Sequence, residues 1–143
     1  MHCGKTASNK LEKLNKRALR LIFNDNANTY TTILEMANMP SLHDRRVQDM
    51  CILIYKVIHG TTPTPLSTLL TLRSKSRNLR GELILVQPRV ITTKYGLNAF
   101  RYHGPKVWNS LNDELRISPT LKNIVTRITK IIFDACNCSL CNC

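Results

Sequence analysis

Ser41-Leu42-His43-Asp44-Arg45-Arg46-Val47-Gln48-Asp49-Met50-Cys51-Ile52-Leu53-Ile54-Tyr55-Lys56-Val57-Ile58-His59-Gly60 is the stretch that decides the fold class. Ser41, with Asp44 three residues on, forms a capping-box-like start in which Asp stands where Glu is usual. Leu42, Val47, Met50, Cys51, Ile54, Val57 and Ile58 recur with helical period and form a wide apolar face. Gly60 stands where a helix needs a residue free to turn left-handed. The pattern predicts one long helix over Leu42–His59 at the centre of the core. On that face Cys51 reads as a small buried hydrophobe, and His59 as a favourable charge at the helix C-terminus.

Towards the N-terminus, Leu11, Leu14, Ala18, Leu21 and Ile22 recur at spacings of three and four. They predict a helix from Asn9 to about Phe23, capped by Ser8 or Asn9 and broken by Asn24-Asp25-Asn26. Lys10, Lys13, Lys16, Arg17 and Arg20 fill the rest of its circumference. Between the two helices, Thr29 can cap a short one over about Tyr30–Asn38. Its apolar face would be Ile33, Leu34, Met36 and Ala37, and Pro40 would end it.

Towards the C-terminus, Thr61-Thr62-Pro63-Thr64-Pro65 is a turn and Leu66–Leu70 one helical turn. Arg73, Lys75, Arg77 and Arg80 then lie among serines and an asparagine, as in a solvated basic loop. Leu83–Val86 and Val90–Thr93 are short runs suited to extended backbone, a poor hairpin at most. Gly104-Pro105 reads as a loop feeding a helix with Pro at its first position, with Val107, Trp108 and Leu111 turned inward. Ser118-Pro119 reads as a further cap-then-Pro start. Leu121, Ile124, Val125, Ile128, Ile131 and Ile132 stripe the helix that follows, to about Phe133. The expected fold is mainly α: a small helical domain over residues 9–133 with a central long helix, a basic loop and short extended segments. A disordered Cys-rich tail is expected over 134–143.

Lys and Arg number 21 against nine Asp and Glu, a net charge of +12, which favours polyanionic partners. The competing reading is that the excess only solvates one face. The apolar runs around Met50–Ile58 and Ile131–Phe133 are far shorter than the roughly 20 residues needed to cross a bilayer, so no membrane partner is expected. Met1–Lys10 has no apolar signal core. The expected location is therefore intracellular, nuclear or cytoplasmic, and not secreted.

Chemistry-bearing patterns are few. Metal-dependent phosphoryl transfer needs clustered carboxylates. Asp113-Glu114 is the sole adjacent acidic pair, and it sits at an expected helix start, where acids suit the dipole. The glycines are scattered, and no nucleophile–base arrangement follows from the spacing of His2, His43, His59 and His103. Cys136, Cys138, Cys141 and Cys143 are the only candidate metal ligands. Cys138 and Cys141 have the two-residue separation common in zinc sites, but all four thiols crowd into eight residues. An unstructured tail, a zinc site and disulfide chemistry all remain open there; apart from zinc, no cofactor is expected.

The basic positions that can neutralise phosphates are Lys10, Lys13, Lys16, Arg17 and Arg20, then Arg73, Lys75, Arg77 and Arg80, then Arg101 and Lys106. Arg89 and Lys94 extend this series. Tyr95, Phe100, Tyr102 and Trp108 interleave with it as candidates for base stacking, although Trp108 reads better as core.

Several of these stretches, in order, resemble a known family. They are Leu14-Asn15-Lys16-Arg17-Ala18-Leu19-Arg20-Leu21-Ile22-Phe23, Asp44-Arg45-Arg46-Val47-Gln48-Asp49, Ile54-Tyr55-Lys56-Val57 and Arg77-Asn78-Leu79-Arg80. Further on come Thr93-Lys94-Tyr95-Gly96, Phe100-Arg101-Tyr102-His103-Gly104-Pro105-Lys106-Val107-Trp108-Asn109-Ser110-Leu111 and Thr120-Leu121-Lys122. Over roughly Lys10 to Arg127 the chain resembles the region downstream of the polymerase domain in animal non-LTR (LINE-type, jockey-like) retrotransposon reverse transcriptases.

The resemblance implies a helical accessory region that contacts template or target nucleic acid beside a polymerase domain. The family's Tyr/Phe-X-Asp-Asp signature has no counterpart here, so no catalytic residue is carried over and no enzyme activity is expected. Asn123-Ile124-Val125 departs from the aromatic and basic continuation usual in the family. The terminal cysteines are similar to Cys-rich ends of some relatives, and the start at Met1 suggests a truncated element copy. The expected function is non-catalytic binding of RNA or DNA through phosphates, with little sequence preference. Its alternatives are an inactive structural remnant and a zinc-binding module formed by the tail.

Overall fold

A computed structural model describes residues 5–74, 83–92, 96–97 and 99–131. The chain is mainly helical. Among the described residues seven helices follow one another: α1 (Lys5–Phe23), α2 (Tyr30–Met36), α3 (Leu42–Ile58), α4 (Thr64–Ser67), α5 (Phe100–Ser110), α6 (Asp113–Arg116) and α7 (Leu121–Ile128). There is no strand among these residues, only an isolated antiparallel bridge between Leu72 and Leu85. The tail with Cys136, Cys138, Cys141 and Cys143, and the loop positions Lys75, Arg77 and Arg80, lie outside the described residues.

The long helix α3 forms as its sequence signals require. The Ser41 hydroxyl oxygen accepts the Asp44 backbone N–H at 3.1 Å while its own proton goes to the Asp44 carboxylate at 2.6 Å. At the other end Gly60 adopts φ +68°. Its N–H donates to the Val57 carbonyl at 3.2 Å, and the Thr61 N–H to the Lys56 carbonyl at 2.9 Å, a Schellman closure. Helices α1 and α2 end by the same device with asparagine in place of glycine: Asn24 and Asn38 sit at φ 48° and 50°. Asn tolerates this region because its short polar side chain can bond locally.

The described residues divide into two compact units, 5–46 and Val47–Ile131, with the division inside α3. In the larger unit, α3 buries Val47, Met50, Cys51, Ile54, Tyr55 and Val57; Trp108, Leu111, Ile124, Ile128 and Leu85 are buried with them. Each such side chain contributes roughly 1.5–3 kcal/mol. Gly104 allows a close approach, since a Cβ there would stand 3.3 Å from the Ile54 Cδ1. Buried Gln48 donates its amide to the carbonyls of Thr129 (3.4 Å) and Ile131 (3.1 Å), which closes the end of α7. The buried Tyr55 hydroxyl donates to the Ser118 carbonyl at 3.0 Å, and its ring stacks on His59 with centroids 3.9 Å apart.

Three local readings are corrected. Gly104-Pro105 does not start a helix: α5 begins at Phe100, and Pro105 lies inside it, buried. His103, Gly104, Pro105 and Trp108 are all buried, which offsets the backbone hydrogen bond that proline forgoes. Thr120, not Ser118, caps α7: its side chain accepts from the Asn123 N–H at 3.3 Å, while buried Ser118 turns its hydroxyl to the Glu114 carbonyl at 3.4 Å. Among the described residues Leu83–Val86 pairs with the segment around Leu72 and not with residues 90–92. Arg73 N donates to the Ile84 carbonyl at 2.9 Å and Val86 N to the Thr71 carbonyl at 2.8 Å.

That bridge is pinned from α5. The Asn109 side chain accepts from Leu85 N at 3.0 Å and donates to Leu85 O at 2.9 Å, standing in for a neighbouring strand. The Trp108 indole donates to the Leu83 carbonyl at 2.8 Å and so holds a leucine at φ 56°, a region open mainly to glycine. The bridge therefore closes the base of the segment that carries the second basic cluster.

The smaller unit has a core of Leu19, Ile33 and Leu34 with Tyr30 and Ala37 packed against it. Thr29 caps α2, as its position suggested, accepting from Thr32 N. A polar cluster does the rest. Glu12 accepts the Tyr30 hydroxyl proton at 2.8 Å and the Leu42 N–H at 3.3 Å, Asn15 donates to the Tyr30 oxygen at 2.9 Å, and Arg46 donates to Ser8 at 2.7 Å. Leu42 N is one of the unpaired donors at the start of α3, so Glu12 caps that helix from a distance. Burial, with the nearby Glu12 carboxylate, pushes Tyr30 up to about 12.

Candidate nucleic-acid interface

Helix α1 starts at Lys5, earlier than the cap residues suggested, and runs to Phe23. Within it Lys10, Lys13, Arg17 and Arg20 recur at spacings of three, four and three. At 100° per residue these four fall within an arc of about 80°. They make a single row about 15 Å long, which matches the axial rise of roughly four phosphates on one strand. Lys10, Lys13 and Arg17 are exposed. Among the described residues the one ion pair is Arg116 with Asp113; within the row only Arg20 has a carboxylate acting on it, that of Asp25.

Two of the five predicted residues on α1 are partly engaged elsewhere. Lys16 lies off the row, half-buried, with its ammonium 6.0 Å above the Tyr30 ring, the outer limit of a cation–π contact. Half-buried Arg20 reaches the Asn28 carbonyl at 3.4 Å across the turn that follows α1. In that turn the Asn28 side-chain amide, with the Asn28 and Ala27 N–H groups, holds the Asp25 carboxyl below its usual range.

In the larger unit the basic residues do not line up in this way. Arg73 is exposed at the bridge. Arg101 is exposed and Lys106 half-buried on α5, and at five residues apart they point about 140° away from each other. Arg89, Lys122, Arg127 and Lys130 are exposed as well, yet Lys122 and Arg127 on α7 have the same divergent spacing. Arg116 is buried, and loss of solvent lowers its pKa from the usual value. Of the interleaved aromatics, Trp108 is core, Phe100 and Tyr102 are half-buried, and Tyr95 lies outside the described residues.

The residues that set the orientation of α1, namely Glu12, Asn15, Tyr30 and Arg46, carried no signal in the sequence, because their partners lie 15 to 38 positions away. Among the described residues no group of three or more His, Cys, Asp or Glu side chains is placed to hold a metal ion. No helix among them is long and apolar enough to cross a membrane. Comparison with protein-family models, with curated proteins and with solved structures returns no match.

Proposed function

We propose that the chain is a non-catalytic, basic nucleic-acid-binding module, of the kind a retrotransposon reverse transcriptase would use as an accessory part beside its polymerase domain. The observation that carries the reading is the row Lys10, Lys13, Arg17 and Arg20: four cations on one side of one helix, none of them in an ion pair among the described residues, with Asp25 near Arg20 alone. Such a row displaces counterions from a phosphate backbone without reading base edges, so RNA and DNA both qualify.

The test is the affinity of the purified chain for a single-stranded RNA and for duplex DNA over a salt series. The triple variant Lys10→Gln, Lys13→Gln, Arg17→Gln changes only exposed side chains. If the row contacts duplex phosphates, the slope of log K against log salt becomes shallower by about 3, near 0.9 per lost contact. An unchanged slope rejects the row as the contact surface. A second reading, a structural remnant without activity of its own, draws on Leu14, Leu21 and Ile22, which are 61%, 76% and 73% exposed. Absence of binding at low salt by a folded chain selects that reading.

A further inference from the structure

The apolar stripe of α1 faces solvent. Leu11, Leu14, Leu21 and Ile22 are 46%, 61%, 76% and 73% exposed, and Ala7 and Ala18 beside them are exposed too. Leu19, about 100° away round the helix, is the residue that enters the core. Ala7, Leu11, Leu14, Ala18 and Leu21 are spaced by four, three, four and three, an average of 3.5. That is the period of a coiled-coil seam, with Leu11 and Ala18 at a positions and Ala7, Leu14 and Leu21 at d.

The two flanks of this seam differ. On the e side, Ser8 and Asn15 are already bonded to Arg46 and Tyr30. The g side carries Lys10 and Arg17, both exposed. In a parallel helix pair, g faces the partner's e positions; in an antiparallel pair it faces the partner's g positions. A second copy would answer Lys10 and Arg17 with Asn15 and Ile22 in the first case, and with Arg17 and Lys10 in the second. Neither offers an acid. From this charge pattern we infer that α1 is a docking seam for another protein's amphipathic helix, one with an aliphatic a/d stripe bordered by Asp or Glu. This goes beyond phosphate binding, which needs the cations but not the leucines.

The test uses the full chain and a synthetic 21-residue peptide of three heptads, with Leu at a and d and Glu at e and g, followed by fluorescence anisotropy. A scrambled peptide of the same composition controls for net charge. The ordered peptide is expected to bind at least about tenfold more tightly than the scrambled one, a gap of roughly 1.4 kcal/mol. Leu14→Gln, which adds no charge beside Lys10 and Arg17 and nearly keeps the helix propensity, should abolish that preference while leaving RNA affinity and Tm unchanged. Equal binding of the two peptides, or no binding of either, overturns the proposal. A large fall in Tm for Leu14→Gln also overturns it, since the side chain would then be buried. Concentration-dependent self-association relieved by Leu14→Gln would identify a second copy as the occupant. Saturable binding to vesicles of 30% phosphatidylserine without any peptide preference would identify a lipid surface. Either result replaces the proposal.

Discussion

Helices α1 and α3 are both amphipathic, both longer than four turns, and both carry their aliphatic residues at spacings of three and four. In α3 the stripe is inside: Cys51 and Ile54 have no exposed surface, and Val47, Met50 and Val57 have 7% or less. In α1 the stripe is outside, and the face that packs is the one with Ser8, Glu12, Asn15 and Leu19. A quarter-turn of rotation would have buried four aliphatic side chains instead. That polar face is where half-buried Tyr30, Leu42 N and Arg46 find their hydrogen-bond partners, Glu12, Asn15 and Ser8. Periodicity marks which residues suit an apolar neighbour; it does not say that the neighbour is in the same chain.

The comparison is broken most directly by truncating one side chain on each helix. Ile54→Ala in α3 removes a fully buried group and should cost about 2–5 kcal/mol. Leu14→Ala in α1 should fall within about 0.5 kcal/mol of the parent chain. Urea titration followed by circular dichroism gives both values. Similar losses at the two sites would mean that the stripes are equally buried.

Cys51 sharpens the contrast from the side of α3. Burial pushes its thiol up to about 12, from an ordinary 9.0. The folded chain keeps the proton that the unfolded chain releases, so this contribution is complete below pH 9 and is lost as pH rises towards 12. Three units correspond to at most about 4 kcal/mol. Cys51→Ala removes the effect. Its stability deficit at pH 8 should therefore shrink as the pH rises through this window. A deficit independent of pH would mean that water reaches the thiol.

The parts that sequence made legible are those whose cause is local. Ser41, Asp44 and Gly60 bound α3 by contacts within three to five residues, and Thr29 and the Asn24 turn act over the same range. The helical class and the central position of α3 follow from these signals and from the period of its aliphatic residues. What was not legible depends on distant residues. Pro105 reads as a helix start until the burial of its neighbours is known. Leu85 finds Leu72 and Asn109, respectively 13 and 24 positions away, rather than the nearer Val90 run. The candidate site divides along the same line. The row on α1 is written in its spacing, whereas the engagement of Lys16 and Arg20 with Tyr30 and Asn28 is not.

The polar cluster that orients α1 can be tested as a unit. Glu12→Ala leaves the Tyr30 hydroxyl and the Leu42 N–H without their acceptor and should cost about 1–2 kcal/mol. Tyr30→Phe removes one donor, and the double variant should be less destabilised than the sum by about 0.5–1.5 kcal/mol. Strict additivity would mean that the two groups do not share a hydrogen bond.

The smallest expected effect is the most discriminating. Leu21 is 76% exposed, near the C-terminal end of α1. Leu21→Gln replaces it with a residue of nearly the same helix propensity, so the backbone term cancels and only the environment of the side chain is read. On a wet stripe the change should lie within about 0.5 kcal/mol of zero. On a covered one it would bury an amide without a partner and cost about 1–3 kcal/mol. A loss of that size in the chain alone would show that α1 packs its leucines inward, as α3 does. A loss that appears only when an acidic amphipathic peptide is bound would place the cover outside the chain.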